Sequence, residues 1–192
     1  MKPKTLNDLT VKDLIKIQRI DPTTLTGQKE LIECIYKVNT DDMPIDEFLT
    51  ACAEVVDVMS KGDKSFKKTL SINEHRFEAK ELNDFSTREF IDFDTLAKDS
   101  KENITTLLAL IYDCDEFKSL NYVEAIKKKA DILMDMDAGA ALGALDFFSS
   151  RLLSFVNNTL LSSEVAKRMM ETNPEMKKAM NKIQDYLDGA GN

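Results

Sequence analysis

The chain predicts a mainly α fold with one small β-hairpin, and three observations carry that prediction. Apolar residues recur at three- and four-residue spacing along most of the 192 residues. The spacing turns to alternation around 68–80, where Leu70 and Ile72 share a face and Phe77 and Ala79 resume it after a polar Asn73-Glu74-His75 break. Helical spacing then returns at Ser86-Thr87-Arg88-Glu89, a capping box in which the Ser86 oxygen accepts from the Glu89 amide while the Glu89 carboxylate accepts from Ser86.

In chain order, Thr10-Val11-Lys12-Asp13 is a capping box with Asp in place of Glu, and Val11, Leu14 and Ile17 form the stripe of a first helix that Asp21-Pro22 ends. A second helix is expected over about 26–38, with Leu31, Ile32, Ile35 and Tyr36 on its apolar face. Asp42-Met43-Pro44 starts a third, since proline suits a first helical turn, and Phe48, Leu49, Cys52, Val55, Val56 and Met59 are expected inward. Lys61-Gly62-Asp63-Lys64 ends it and is the candidate boundary before the hairpin. In the hairpin turn Asn73 tolerates positive φ, but Glu74 stands where glycine is favoured, which predicts a strained or longer loop.

The helix from Ser86 should bury Phe90, Phe93 and Leu96, leaving Glu89, Asp92, Asp94 and Lys98 to water. Helices are next expected over about 102–114, with Ile104, Leu107, Leu108 and Ile111 buried, and over about 122–134, presenting Val123, Ile126, Ala130 and Leu133. The segment 138–157 is the candidate central helix. Its Gly139, Ala140, Gly143 and Ala144 lower helix propensity and fit close approach of another backbone. A core domain over 1–161 and a helical extension over 162–192 are expected, the extension broken at Asn173-Pro174. Methionine adapts to irregular apolar partners, so Met169, Met176, Met180, Ile183 and Leu187 are the candidate partner-binding residues; closing the core is the alternative role.

Composition narrows the function classes. A net charge of −8 without a basic stripe disfavours direct nucleic-acid binding, and Lys127-Lys128-Lys129 reads as a solvated helix face. The longest strictly apolar run, 107–112, is far short of the ~20 residues of a membrane span, and the N-terminus lacks the apolar centre of a signal peptide; a soluble, intracellular protein is expected. Three scattered cysteines, Cys34, Cys52 and Cys114, read as reduced, semi-buried residues in helices. His75, the single histidine, reads as an exposed turn residue, and its number rules out a multi-histidine metal site. Asp41-Asp42, Asp92/Asp94 and Asp113/Asp115 lack EF-hand spacing, and neither GxxxxGK[ST] nor GxGxxG occurs. No catalytic residue, cofactor or metal is expected.

The ordered segments LT-x-x-x-LIKIQ, DMPIDEF, LSIN-x-x-x-F, ST-x-EFIDF-x-x-L-x-KD, N-x-x-x-LLALIY and ALGALDFF resemble a group of small proteins from the morphogenesis regions of tailed bacteriophages. The resemblance covers about 6–161, and Glu74 departs from the group's Asn-Gly turn. It implies a tail-assembly chaperone: a soluble helical protein of the host cytoplasm that covers apolar surface of the tape-measure protein until tail-tube subunits displace it. An acidic chain with methionine-bearing amphipathic helices suits that role, because apolar burial is non-directional and net charge maintains solubility. A permanent virion component of the neck, tail or capsid, and an acidic inhibitor of a host enzyme, stay open as alternatives, as does a homo-oligomer. The implied partner is a phage tail or virion protein.

Overall fold

The computed structural model describes residues 2–162. The fold is mainly helical with a small antiparallel sheet, as the sequence predicts, and the chain divides into two compact units, residues 1–149 and 150–192. The elements are α1 (Val11–Ile17), α2 (Leu25–Tyr36), α3 (Ile45–Ser60), β1 (Thr69–Ile72), β2 (His75–Ala79), α4 (Thr87–Ala97), α5 (Ser100–Ile111), β3 (Tyr112–Asp113), α6 (Tyr122–Leu133) and α7 (Ala138–Ser162), with short 3-10 turns between some of them.

The helix starts follow their caps. Thr10 Oγ1 accepts from the Asp13 amide at 3.2 Å while Asp13 accepts from the Thr10 amide at 3.2 Å, and Val11, Leu14 and Ile17 are buried. Ser86 and Glu89 make the same reciprocal pair at the start of α4, at 3.3 and 2.9 Å. The core of the first unit centres on α5 rather than on α7. Ile104 and every residue from Leu107 to Ile111 are buried, and α1, α4 and α6 all pack on α5. The C-terminal half of α5, apolar on all sides from Leu107 to Ile111, takes the innermost place because each of its faces needs cover.

β1 and β2 pair with Leu70 opposite Phe77, and both Asn73 and Glu74 at the turn have positive φ, 48° and 69°. The loop is therefore a tight two-residue one, with Glu74 left-handed where glycine is favoured. The helix expected to reach 114 stops at Ile111: Tyr112 and Asp113 leave it to form β3, opposite Ala79 and Glu78. The apolar run 107–112 gives no local sign of that third strand. Cys114 follows it and caps a 3-10 turn over Asp115–Phe117, so it lies outside any helix.

The segment after α3 does not separate a helical half from the hairpin. The Leu6 amide donates to Lys61 O at 2.7 Å, Asn7 exchanges hydrogen bonds with the Asp63 backbone, and Asn7 also donates to Asp137 at 2.9 Å. The segment then passes over the small face of α7, where carbons added at Gly139 and Gly143 would meet the backbone oxygens of Asp63 and Lys64. Phe66 closes the contact by stacking on Phe147, ring centres 4.2 Å apart. Within the second unit the described residues continue α7, and the Ser154 hydroxyl donates to Ser150 O at 3.0 Å.

Candidate functional site

Three places in the first unit carry features beyond ordinary packing: a buried ion network, a sulfur–imidazole–carboxylate cluster and an exposed apolar stripe. The network joins β2, β3, α4 and α6. Lys129, read from sequence as solvated, is 3% exposed; its ammonium donates to Tyr112 O at 2.9 Å and to Asp113 at 3.0 Å. The half-buried positions of Ile126 and Ala130, with Val123 exposed, show α6 turned so that Lys129 and Leu133 face inward. Lys80, just beyond β2, pairs with Glu89 and lies 3.5 Å from Asp113.

Glu89 was expected in water and is buried. Burial pushes its carboxyl up, but hydrogen bonds from Lys80, from the Ser86 amide and from the Ser86 hydroxyl more than offset this and leave it below its ordinary value. Burial likewise pulls the Lys129 ammonium down, against the opposing attraction of Asp113. Asp92, also expected in water, is half-buried and accepts from the Tyr122 hydroxyl at 2.7 Å, while Arg88 lies over the Tyr122 ring. Two ammoniums and two carboxylates thus neutralise one another. Each holds fixed partners, which makes the network a brace between sheet and helices.

Beside the network, β2 and the residues after β3 bring His75, Cys114 and Glu116 together, with one ligand-capable atom of each lying within 4.8 Å of the others. His75 Nδ1 and Glu116 Oε2 are 2.7 Å apart, and the His75 ring leans on Phe117. His75 opens β2 instead of standing free in the turn. Cys114 and Glu116 also line a groove of about 630 Å³ whose walls carry Lys68, Arg76 and Lys118 along with several carboxylates.

The stripe lies on α3. Ala51, Val55 and Val58 are its buried residues, whereas Leu49 and Val56, both expected inward, are 59% and 69% exposed, and Ile45 is 71% exposed. At about 100° per residue, Ile45, Leu49, Cys52 and Val56 fall within one wedge of about 60°, beside the buried face. The apolar arc of α3 is wider than the unit covers. The spacing of apolar residues marks that arc, and the neighbouring elements cover only its Ala51–Val55–Val58 side. The predicted partner-binding residues Met169, Met176, Met180, Ile183 and Leu187 lie outside the described residues, as does the whole extension from 163. Among the described residues, no helix is long and apolar enough to cross a membrane.

No family model, curated protein or solved structure matches this chain.

Proposed function

We propose that this protein is a non-enzymatic morphogenesis factor of a tailed bacteriophage, acting as a tail-assembly chaperone on apolar helices of the tape-measure protein or another tail protein. The observation that carries the reading is the uncovered stripe Ile45–Leu49–Val56 on α3. A helix anchored on one side by Ala51, Val55 and Val58 offers an adjoining apolar strip of about three turns, the shape that receives an amphipathic helix of a partner. Asp46 and Asp57 line one margin of the strip with negative charge, favouring a partner helix with a basic margin and keeping the free chaperone soluble. The resemblance in the ordered motifs supplies the class of partner, and the stripe supplies a surface that such a partner would need.

A strip of this size fits reversible shielding better than a permanent virion joint. Stable interfaces bury roughly 800 Å² on each side, which a few side chains on one helix do not provide alone. The test is co-expression of the full chain with the tape-measure protein encoded in the same morphogenesis region. The expected result is that the tape-measure protein becomes soluble and co-purifies with the chain, and that the chain is absent from finished particles. Tape-measure protein that stays insoluble beside abundant folded chain would overturn the reading, and intact chain in purified particles would favour the virion component.

A further inference from the structure

We infer that His75, Cys114 and Glu116 form a binding site for one divalent transition-metal ion of the zinc class. The three side chains offer one imidazole nitrogen, one sulfur and one carboxylate oxygen, all within 4.8 Å of one another. This donor set is the borderline-soft mixture that zinc accepts and that calcium and magnesium, which take oxygen ligands, do not. A tetrahedral zinc site with bonds of about 2.0–2.3 Å places its ligand atoms roughly 3.3–3.6 Å apart. The present spacing needs the sulfur to draw in by about an ångström and the His75–Glu116 pair, now at 2.7 Å, to open slightly. Both are rotamer-scale movements.

The placement follows from strand register and not from a chance meeting of surface groups. Glu78 stands opposite Asp113 and Ala79 opposite Tyr112. Carried one residue past the end of β3, the same register sets Cys114 against Phe77, on the face of β2 that also carries His75, and the 3-10 turn over Asp115–Phe117 then brings Glu116 back to His75. Phe117, next in the 3-10 turn, covers the imidazole with ring centres 5.5 Å apart. Lys118, the cation that follows, is engaged by Asp115 at 2.7 Å. Cys114 and Glu116 line the groove, so an ion held by the three protein donors would keep a fourth position for water, the pattern of an open zinc site.

Cobalt(II) is the probe, because a cysteine thiolate bound to it gives a charge-transfer absorption in the near ultraviolet. Reduced, metal-stripped full-length chain is titrated with Co²⁺, and Zn²⁺ is then added in competition. The expected result is one equivalent of cobalt bound with the thiolate band, displaced by zinc. Cys114→Ser removes the band, the Cys34→Ser/Cys52→Ser double variant keeps it, and His75→Ala and Glu116→Gln each weaken binding by more than about tenfold, since even outer-shell partners contribute 10–100-fold. Glu116 is exposed, so its variant tests the site without disturbing the fold. Absence of the band in the wild-type chain at millimolar cobalt overturns the assignment. So does a band that survives in Cys114→Ser, or full affinity in both His75→Ala and Glu116→Gln.

Discussion

A side-chain carbon added to Gly143 would lie 2.1 Å from the backbone oxygen of Lys64. Backbone therefore runs directly against backbone where the segment after α3 crosses α7, and the obstacle is a peptide group rather than a side chain that could swing away. Gly143→Ala gains about 1 kcal/mol of helix propensity. The clash outweighs it, because the crossing segment is also tied at Asp63 by Asn7. We expect a net loss of about 1–3 kcal/mol for alanine and more for leucine, read as lowered urea midpoints. An unchanged midpoint would mean that the segment yields freely.

Lys129 tests whether the ion network braces the fold. Its ammonium holds Tyr112 O and Asp113, and Asp113 retains Lys80 at 3.5 Å when Lys129 is lost. Lys129→Met keeps the apolar stem, so it should lose only the charge-assisted bonds, about 1–3 kcal/mol, partly offset by relief of the buried charge. Lys129→Ala removes the stem as well and should cost distinctly more. Equal midpoints for the two variants would show that the stem contributes nothing to packing.

These two residues mark what the sequence disclosed and what it concealed. Small residues at helical spacing announce a close backbone contact, so Gly143 was legible although its partner segment was not. Lys129 stands in a run of three lysines, and its acceptors at 112 and 113 come from a strand hidden at the end of an apolar helical run. Caps were readable because both partners lie within four residues, as at Thr10–Asp13 and Ser86–Glu89. His75 and Glu116 are 41 residues apart and meet only through the pairing of β2 with β3. Leu49 and Val56 share the spacing of buried residues, and no local signal tells how far a neighbouring helix will reach across α3.

Acid should weaken the fold through Glu89. Its folded-state carboxyl lies below the ordinary value of 4.5, so its contribution is complete above that pH and is lost as pH falls through the lower, folded value. Glu89→Gln removes one of the two carboxylates facing Lys80, leaving Asp113 at 3.5 Å, and should lower neutral-pH stability by about 1–3 kcal/mol. It should also flatten the decline below pH 4.5, measured as urea midpoints across an acid series. A variant that declines as steeply as the wild type would assign the acid sensitivity to other carboxylates, Asp13 and Asp137 foremost.

Glu74 occupies a left-handed position, φ 69°, in the two-residue turn between β1 and β2. Asn-Gly is the preferred pair for such a turn, and Asn73 already supplies the first half. Glycine at 74 removes the steric penalty of a Cβ at positive φ, about 1–2 kcal/mol, against the larger entropy it brings to the unfolded chain. Glu74→Gly should therefore stabilise by up to about 1 kcal/mol, visible as a raised melting temperature. A lowered melting temperature would show that the glutamate side chain contributes contacts that exceed the strain.

The proposed partner surface predicts a separation of binding from stability along one helix. Leu49 and Val56 are more than half exposed, so Leu49→Gln/Val56→Gln should change stability by no more than about 0.5 kcal/mol at each position. Val55→Gln, one residue away on the buried face, should cost several times more by burying an amide without partners. If α3 receives the apolar helix of a tail protein, the double variant should remain folded and lose co-purification with the tape-measure protein. Polar substitution of Met176, Met180, Ile183 and Leu187 provides the comparison, since those residues were the sequence's own candidates for the same task. Binding that survives the α3 changes and disappears with the C-terminal ones would move the contact to the extension. Loss with the α3 changes alone would place the partner on the strip that the first unit leaves uncovered.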